Sequence, residues 1–231
     1  MLTKSKETLG NLKEEQSVEE WMKMMLEEKE WWVRSHAAWS LGRAGDIRAV
    51  EPLISALQDG DGSVRRHAAW SLGVLGDVSA VEPLMKLLED QNKFVRSSAI
   101  ETLGKLKDVR AVEPLMGKLK DEYEYARASA AWALGEMGDK RVIEKLVKAT
   151  EDSHWFVQNS AIWALVKIGK PAIEALISLL KSKSWHVRGE IAEVLGNIGD
   201  PQTASPLMKL LKDDNVYVRR RAACALERVR E

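Results

Sequence analysis

Few side chains in this sequence could do chemistry, and they are thinly spread. His36 and His67 stand 31 residues apart. Two imidazoles do not close a zinc site, which needs three or four ligands. His154 and His186 fall between repeated segments and read as solvated. The single cysteine, Cys224, has no histidine or aspartate in its own segment to activate it and reads as a half-buried thiol. Gly42-Arg43-Ala44-Gly45 follows a helical pattern and not a strand, so it is no phosphate or dinucleotide loop. What stands out is tryptophan: 9 residues, against 3 Tyr and 2 Phe. Aromatic side chains on a surface supply binding area more often than catalysis.

The elements that would position those rings are given by a repeat. Leu-Gly recurs at Leu41-Gly42, Leu72-Gly73, Leu103-Gly104 and Leu134-Gly135, in steps of 31. The copies shorten by one residue near Lys170-Pro171. Each reads as two helices. Val33, Ala37, Leu41 and Ala44 form one apolar stripe that stops at Gly45. Asp46 can cap the second helix, where Val50, Leu53, Ile54 and Leu57 recur at helical spacing. All 6 prolines lie near the start of a second helix, where a missing N–H costs least. The expected organisation is one domain, 1–231: a degenerate repeat over 1–29, six full repeats over 30–215 and a half-repeat over 216–231. One helix pair cannot bury its own apolar face, so the pairs must stack. The expectation is an all-α fold, an α-solenoid wound as a right-handed superhelix.

Lys+Arg and Asp+Glu are 35 each, so the net charge is zero. That disfavours a nucleic-acid binder, which needs basic charge along a phosphate backbone. No apolar run reaches the roughly 20 residues of a membrane span, and the start carries no signal-peptide core. One cysteine allows no internal disulfide. A cytoplasmic setting is expected. Residues 1–30 are acidic and 212–231 basic. The last helix, from Val216, lacks a covering second helix, which allows end-to-end self-association.

Two columns hold most of the aromatics. Before the valine of the first helices (Ala126 in one copy) stand Trp32, Ser63, Phe94, Tyr125, Phe156, His186 and Tyr217; seven residues on stand Trp39, Trp70, Glu101, Trp132, Trp163, Glu193 and Cys224. The spacing puts both columns on one helix face. His36 and His67 lie between them. Arg43, Lys105 and Glu136 lie past them, among mixed charges. Trp31, Trp155 and Trp185 mark helix starts. The tryptophans either plug gaps between helices or form an exposed strip; the strip is the binding surface expected here.

A second ladder is structural. Arg34, Arg65, Arg96, Arg127, Arg188 and Arg219 share one position, and Asp46, Asp77, Asp108, Asp139 and Asp200 another. In the fifth copy Gln158 and Lys170 replace both, Val166 replaces the usual glycine, and Ser182 replaces the aspartate found at Asp59, Asp90, Asp121, Asp152 and Asp213. The shared loss suggests that the arginine and the first aspartate of one copy pair with each other, and makes copy five the expected irregularity.

The pattern V-R-x-x-A-A-x-x-L-G-x-x-G-D-x-x-A-V-E-P-L resembles the HEAT-like repeats named after phycobilisome lyases, and is similar to artificial helical scaffolds built from that consensus. The resemblance implies that the Val-Arg/Leu-Gly helix lines a concave face whose variable positions bind. The expected function is a non-enzymatic scaffold holding a protein or peptide in that groove, with no cofactor and no metal. Trp32, His36, Trp39, Arg43, His67, Trp70, Phe94, Glu101, Lys105, Tyr125, Trp132, Glu136, Phe156 and Trp163 are its expected contacts. The alternatives are a bilin-lyase-like enzyme or subunit, and nucleic-acid binding by aromatic stacking as in HEAT-like DNA glycosylases. Deoxyhypusine hydroxylases of this repeat class use His-Glu dipeptides to hold iron, and this sequence has none.

Overall fold

The computed structural model describes residues 16–229. The first part of the degenerate N-terminal copy lies outside those residues. Among them there are fourteen α-helices and no strand. The chain divides into two compact units, Met1–Leu106 and Lys107–Glu231.

In the first unit α1 (Val18–Glu27) is the second helix of the degenerate copy, and Ser17 caps it in a reciprocal box with Glu20. Three first helices follow: α2 (Trp31–Ala44), α4 (Gly62–Leu75) and α6 (Lys93–Leu106). They alternate with the short second helices α3 (Val50–Ala56) and α5 (Val81–Lys86). The second unit opens on a second helix, α7 (Val112–Lys118). It then alternates α8 (Glu124–Met137), α9 (Ile143–Ala149), α10 (Trp155–Ile168), α11 (Ile173–Leu179), α12 (Trp185–Ile198), α13 (Ala204–Leu210) and α14 (Val216–Val229).

The local chemistry follows the repeat. Gly45, Gly76, Gly138 and Gly199 close first helices in the left-handed conformation, φ 65° to 74°. The aspartate that follows accepts the amide two residues on, as Asp46 does from Arg48, and starts a 3-10 turn into the second helix. The stripe is buried at Val33, Ala37 and Leu41; Ala44, the last residue of α2, is exposed.

The Leu-Gly glycine has a packing reason. A Cβ on Gly42 would lie 2.4 Å from Ser71 Oγ, and one on Gly135 would lie 2.6 Å from Ala164 Cα. Gly73 faces Thr102 and Gly196 faces Ala225 in the same way. Glycine against a small residue lets successive first helices approach until Ser71 Oγ donates to Ala38 O at 2.7 Å and Thr102 Oγ1 to Ala69 O at 2.9 Å. Both hydroxyls are buried and satisfied.

The arginine ladder differs from the sequence expectation. The arginines do not pair with the aspartate of their own turn; they reach the second aspartate column, 25 residues on. Arg34 binds Asp59, Arg65 binds Asp90, Arg127 binds Asp152 and Arg188 binds Asp213, each by two bonds of 2.7–3.0 Å. The remaining guanidinium nitrogen donates to loop carbonyls, as Arg65 Nη1 does to Asp59 O at 2.8 Å. The misassigned aspartates cap turns instead, and Asp46, Asp108 and Asp139 also hold the arginine two residues on. A guanidinium six residues past a loop carbonyl and 25 before a carboxylate thus ties one interhelical loop to the next.

Copy five, where an irregularity in superhelix curvature is expected, differs from the others in its rung, its turn and its helix contact. The missing rung is Gln158 with Ser182. Gln158 Nε2 keeps the loop contact, to Asp152 O at 2.6 Å, but carries no charge. The turn after α10 is made by Gly169 at φ 75°, ψ −136°, unlike the other closing glycines. Cα atoms of α10 and α12 seldom come within 8 Å of each other, whereas α8 with α10 and α12 with α14 do so along much of their length.

Candidate binding faces

In the first unit an aromatic cluster forms on α1 and α2. The buried Trp21 lies edge-on to His36, centroids 5.4 Å apart, and His36 lies 5.6 Å from Trp39. The Arg43 guanidinium lies over the Trp39 ring, 4.8 Å from its centre. Trp32 and Trp39 are half-buried. Trp21 was outside the expected columns; its only sequence signal is its place in VEEWMKMML, one turn into the degenerate copy's second helix.

His67, on α4, is tied to α2. Its Nδ1 lies 2.7 Å from Ser35 Oγ, and its Nε2 lies 3.2 Å from Arg66 Nη2. A guanidinium can only donate, so Nε2 accepts, Nδ1 keeps the proton and donates to the serine oxygen. This neutral form agrees with a pKa pushed down by burial and by the Arg66 charge. Burial lowers His36 as well. His67 therefore acts as an inter-repeat strut as well as a face residue. Ser35 is buried, so the Ser35–His67 pair is not an accessible nucleophile. Trp70 is half-buried on the same helix. Phe94, Glu101 and Lys105 on α6 are exposed, with Lys93 Nζ 5.4 Å from the Phe94 ring.

The second unit presents two aromatic pairs. Tyr125 and Phe156 stack at 4.9 Å and 27°, flanked by Tyr123 and an edge-on Trp155. Seven residues further along the same helices, Trp132 and Trp163 stack at 6.4 Å and 18°. Lys167 Nζ stands 5.6 Å from the Trp163 ring centre. Glu136 receives Lys107 at 2.7 Å and Lys167 at 3.3 Å, and the Lys107 bond holds its carboxyl below the usual range. Trp132 is half-buried, while Trp163 is 38% and Trp155 68% exposed. The tryptophans of this column are thus partly buried: Trp39, Trp70 and Trp132 are half-buried, and Trp163 is more exposed.

At α14 the pattern becomes polar. Tyr217 donates to Glu190 at 2.6 Å beneath the Arg221 guanidinium, which also meets Glu193. A Cβ on Gly189 would lie 2.4 Å from the Tyr217 ring, so glycine is required beneath it. A hollow of about 500 Å³ is lined by Val216, Tyr217, Arg220, Arg221 and Cys224. Cys224 is exposed, not half-buried as expected, because no described helix covers that side of α14.

Among the described residues, no group of three or more His, Cys, Asp or Glu could hold a metal ion. Nor is any described helix long and apolar enough to cross a membrane.

Stacked helix pairs locked by glycine contacts and arginine rungs, with a variable aromatic face on the first helices, define an α-helical repeat scaffold. The match to known families says which kind: HEAT repeats are found over residues 6–66, 50–129, 112–174 and 171–227. The chain belongs to the HEAT-repeat family. Among solved structures it is similar to the complex of CpcE and CpcF of phycocyanin lyase from Nostoc sp. PCC7120, at 25% identity and TM-score 0.62, covering 93% of this chain and 95% of that one. Two engineered proteins share the fold. One is 24% identical, with TM-score 0.54 over 78% of this chain and 96% of its own; the other is 23% identical, with TM-score 0.55 over 93% and 68%. A search of curated proteins finds no match.

Proposed function

We propose that this chain is a non-enzymatic interaction scaffold that binds a protein or peptide on the aromatic face of its first helices. The observation that carries the reading is the stacked Trp132–Trp163 pair, open on its outer side and bordered by Lys107, Glu136 and Lys167. Aromatic anchors within a mixed-charge polar border are the composition of binding hot spots. A polyanion would require a run of uncompensated cations, and here Glu136 sits between both lysines. In the first unit, Trp39 beneath Arg43 and the half-buried Trp70 have the same character. The similarity to one partner of a two-protein lyase complex agrees with a protein ligand.

The test compares native bait with a variant carrying Trp39, Trp70, Trp132 and Trp163 changed to Ala. A protein retained by native bait and lost by a variant of unchanged helicity supports the reading. Equal retention by both overturns it.

The lyase likeness also favours a second reading, a bilin-lyase-like subunit. It predicts visible absorbance that stays with the chain once an added open-chain tetrapyrrole has been separated by gel filtration, and colourless protein removes it. Self-association through α14 is the weaker extension. Arg220 and Glu227 occupy the positions of Ser35 and Gly42, so another first helix cannot approach there as α4 approaches α2.

A further inference from the structure

Each close junction between first helices has two locks. One is glycine facing a small residue: Gly42 with Ser71, Gly73 with Thr102, Gly135 with Ala164, and Gly196 with Ala225. The other is the arginine rung to the next loop, at Arg34, Arg65, Arg127 and Arg188. The junction between α10 and α12 has neither. By repeat register, Val166 stands at the glycine position and Val194 at the small-residue position. Both are half-buried, while Gly135, Ala164, Gly196 and Ala225 are buried. The rung is replaced by Gln158 and Ser182, and Gln158 bonds only the loop before its own helix. The connection from α10 to α11 is one residue shorter than in the neighbouring copies, and its Gly169 adopts a conformation that only glycine readily takes.

Two β-branched side chains hold helix backbones apart where glycine and alanine would let them touch. The observed separation of α10 and α12 follows. With the ion pair also gone, what holds the two sides is the packing of α11 on α12 and one long side-chain bond, between His186 Nε2 and Asn159 Oδ1 at 3.3 Å. The strong pairs, α8 with α10 and α12 with α14, lie one on each side.

We propose that the α10–α12 junction is a built-in hinge, about which α7–α11 and α12–α14 move as separate rigid parts of the second unit. Rotation there changes the distance from Trp163 and Lys167 on α10 to Glu193 on α12, and so the width of the aromatic face.

The experiment uses pairs of spin labels in the full chain with Cys224→Ser. Glu144→Cys with Ser205→Cys spans the junction. Glu113→Cys with Glu174→Cys spans the same number of repeats without crossing it. All four are exposed positions on second helices. The expected result is a distance distribution across the junction at least twice as wide as the control. In the variant V166G/V194A/Q158R/S182D, which restores both locks, the width falls to that of the control. Equal widths in the native chain overturn the proposal and make the junction a fixed kink. A width that persists after repair also overturns it. If the fourfold variant does not fold, Q158R/S182D alone restores the rung at partly exposed positions; it must narrow the distribution, and no narrowing is equally decisive.

Discussion

Replacing Arg65 by Gln tests the ladder with a substitution that the chain already makes at Gln158. The glutamine can keep the bond to Asp59 O, as Gln158 does to Asp152 O, while losing both bonds to the Asp90 carboxylate. The pair is neither fully buried nor free: side-chain exposure is 17% for Arg65 and 7% for Asp90. An exposed pair contributes about 0–1 kcal/mol, and breaking a buried one costs about 3–5 kcal/mol. This rung falls between, and the expected loss is about 2–3 kcal/mol at pH 7. Burial pushes the Asp90 carboxyl up, but the bonds from Arg65 and the Asn92 amide hold it below the ordinary value. A folded-state pKa below the unfolded one gives stability that is present above the unfolded value of about 3.9 and lost as pH falls through the folded value. The native–mutant difference should therefore be constant from pH 7 to 5 and shrink below about pH 4. The assay is urea unfolding followed by circular dichroism, with R65Q, D90N and R65Q/D90N closing a double-mutant cycle. A coupling energy under about 0.5 kcal/mol, or one unchanged with pH, would refute the reasoning.

Other perturbations follow from the same contacts. Gly42→Val should cost about 1–3 kcal/mol in thermal or urea unfolding, because its side chain meets Ser71 where the Cβ alone would already be 2.4 Å from Oγ. Ser71→Ala should cost about 1 kcal/mol, since Ala38 O then loses its added donor in a dry contact. Burial lowers both His36 and His67, so folding favours their neutral forms and stability should fall as pH drops below about 6.5. The H36Q/H67N variant should show a flatter profile between pH 7 and 5. Trp21→Ala should cost about 3–5 kcal/mol, as for a buried aromatic, and Trp163→Ala much less; unfolding midpoints of equal size would contradict the burial difference.

The backbone of this fold was legible because its signals are local. Leu-Gly spacing, the closing glycines, the aspartate after them and proline at second-helix starts each fix a few dihedrals, and each appears where the sequence placed it. The partner of the arginines was not legible. Copy five changes both aspartate columns together, so the shared loss fits two partners, and only the stacking of one loop on the next selects Ser182's column over Lys170's. Trp21 was missed because its copy is degenerate, and the His67–Ser35 strut because it joins residues 32 apart across helices. The aromatic columns were visible, but their depth was not. Whether a ring is plug or surface depends on how closely two helices approach, which the facing glycine, serine and alanine decide.

The central claim is that the outer side of the Trp132–Trp163 pair meets a partner. A photo-crosslinking residue placed at Lys167, beside the pair and leaving both tryptophans intact, and in parallel at the exposed Lys145 on α9, tests it in lysate. A discrete crosslinked adduct is expected from position 167, absent from position 145 and competed by unlabelled native chain but not by W132A/W163A. Adducts from both positions alike, or from 145 alone, would contradict it.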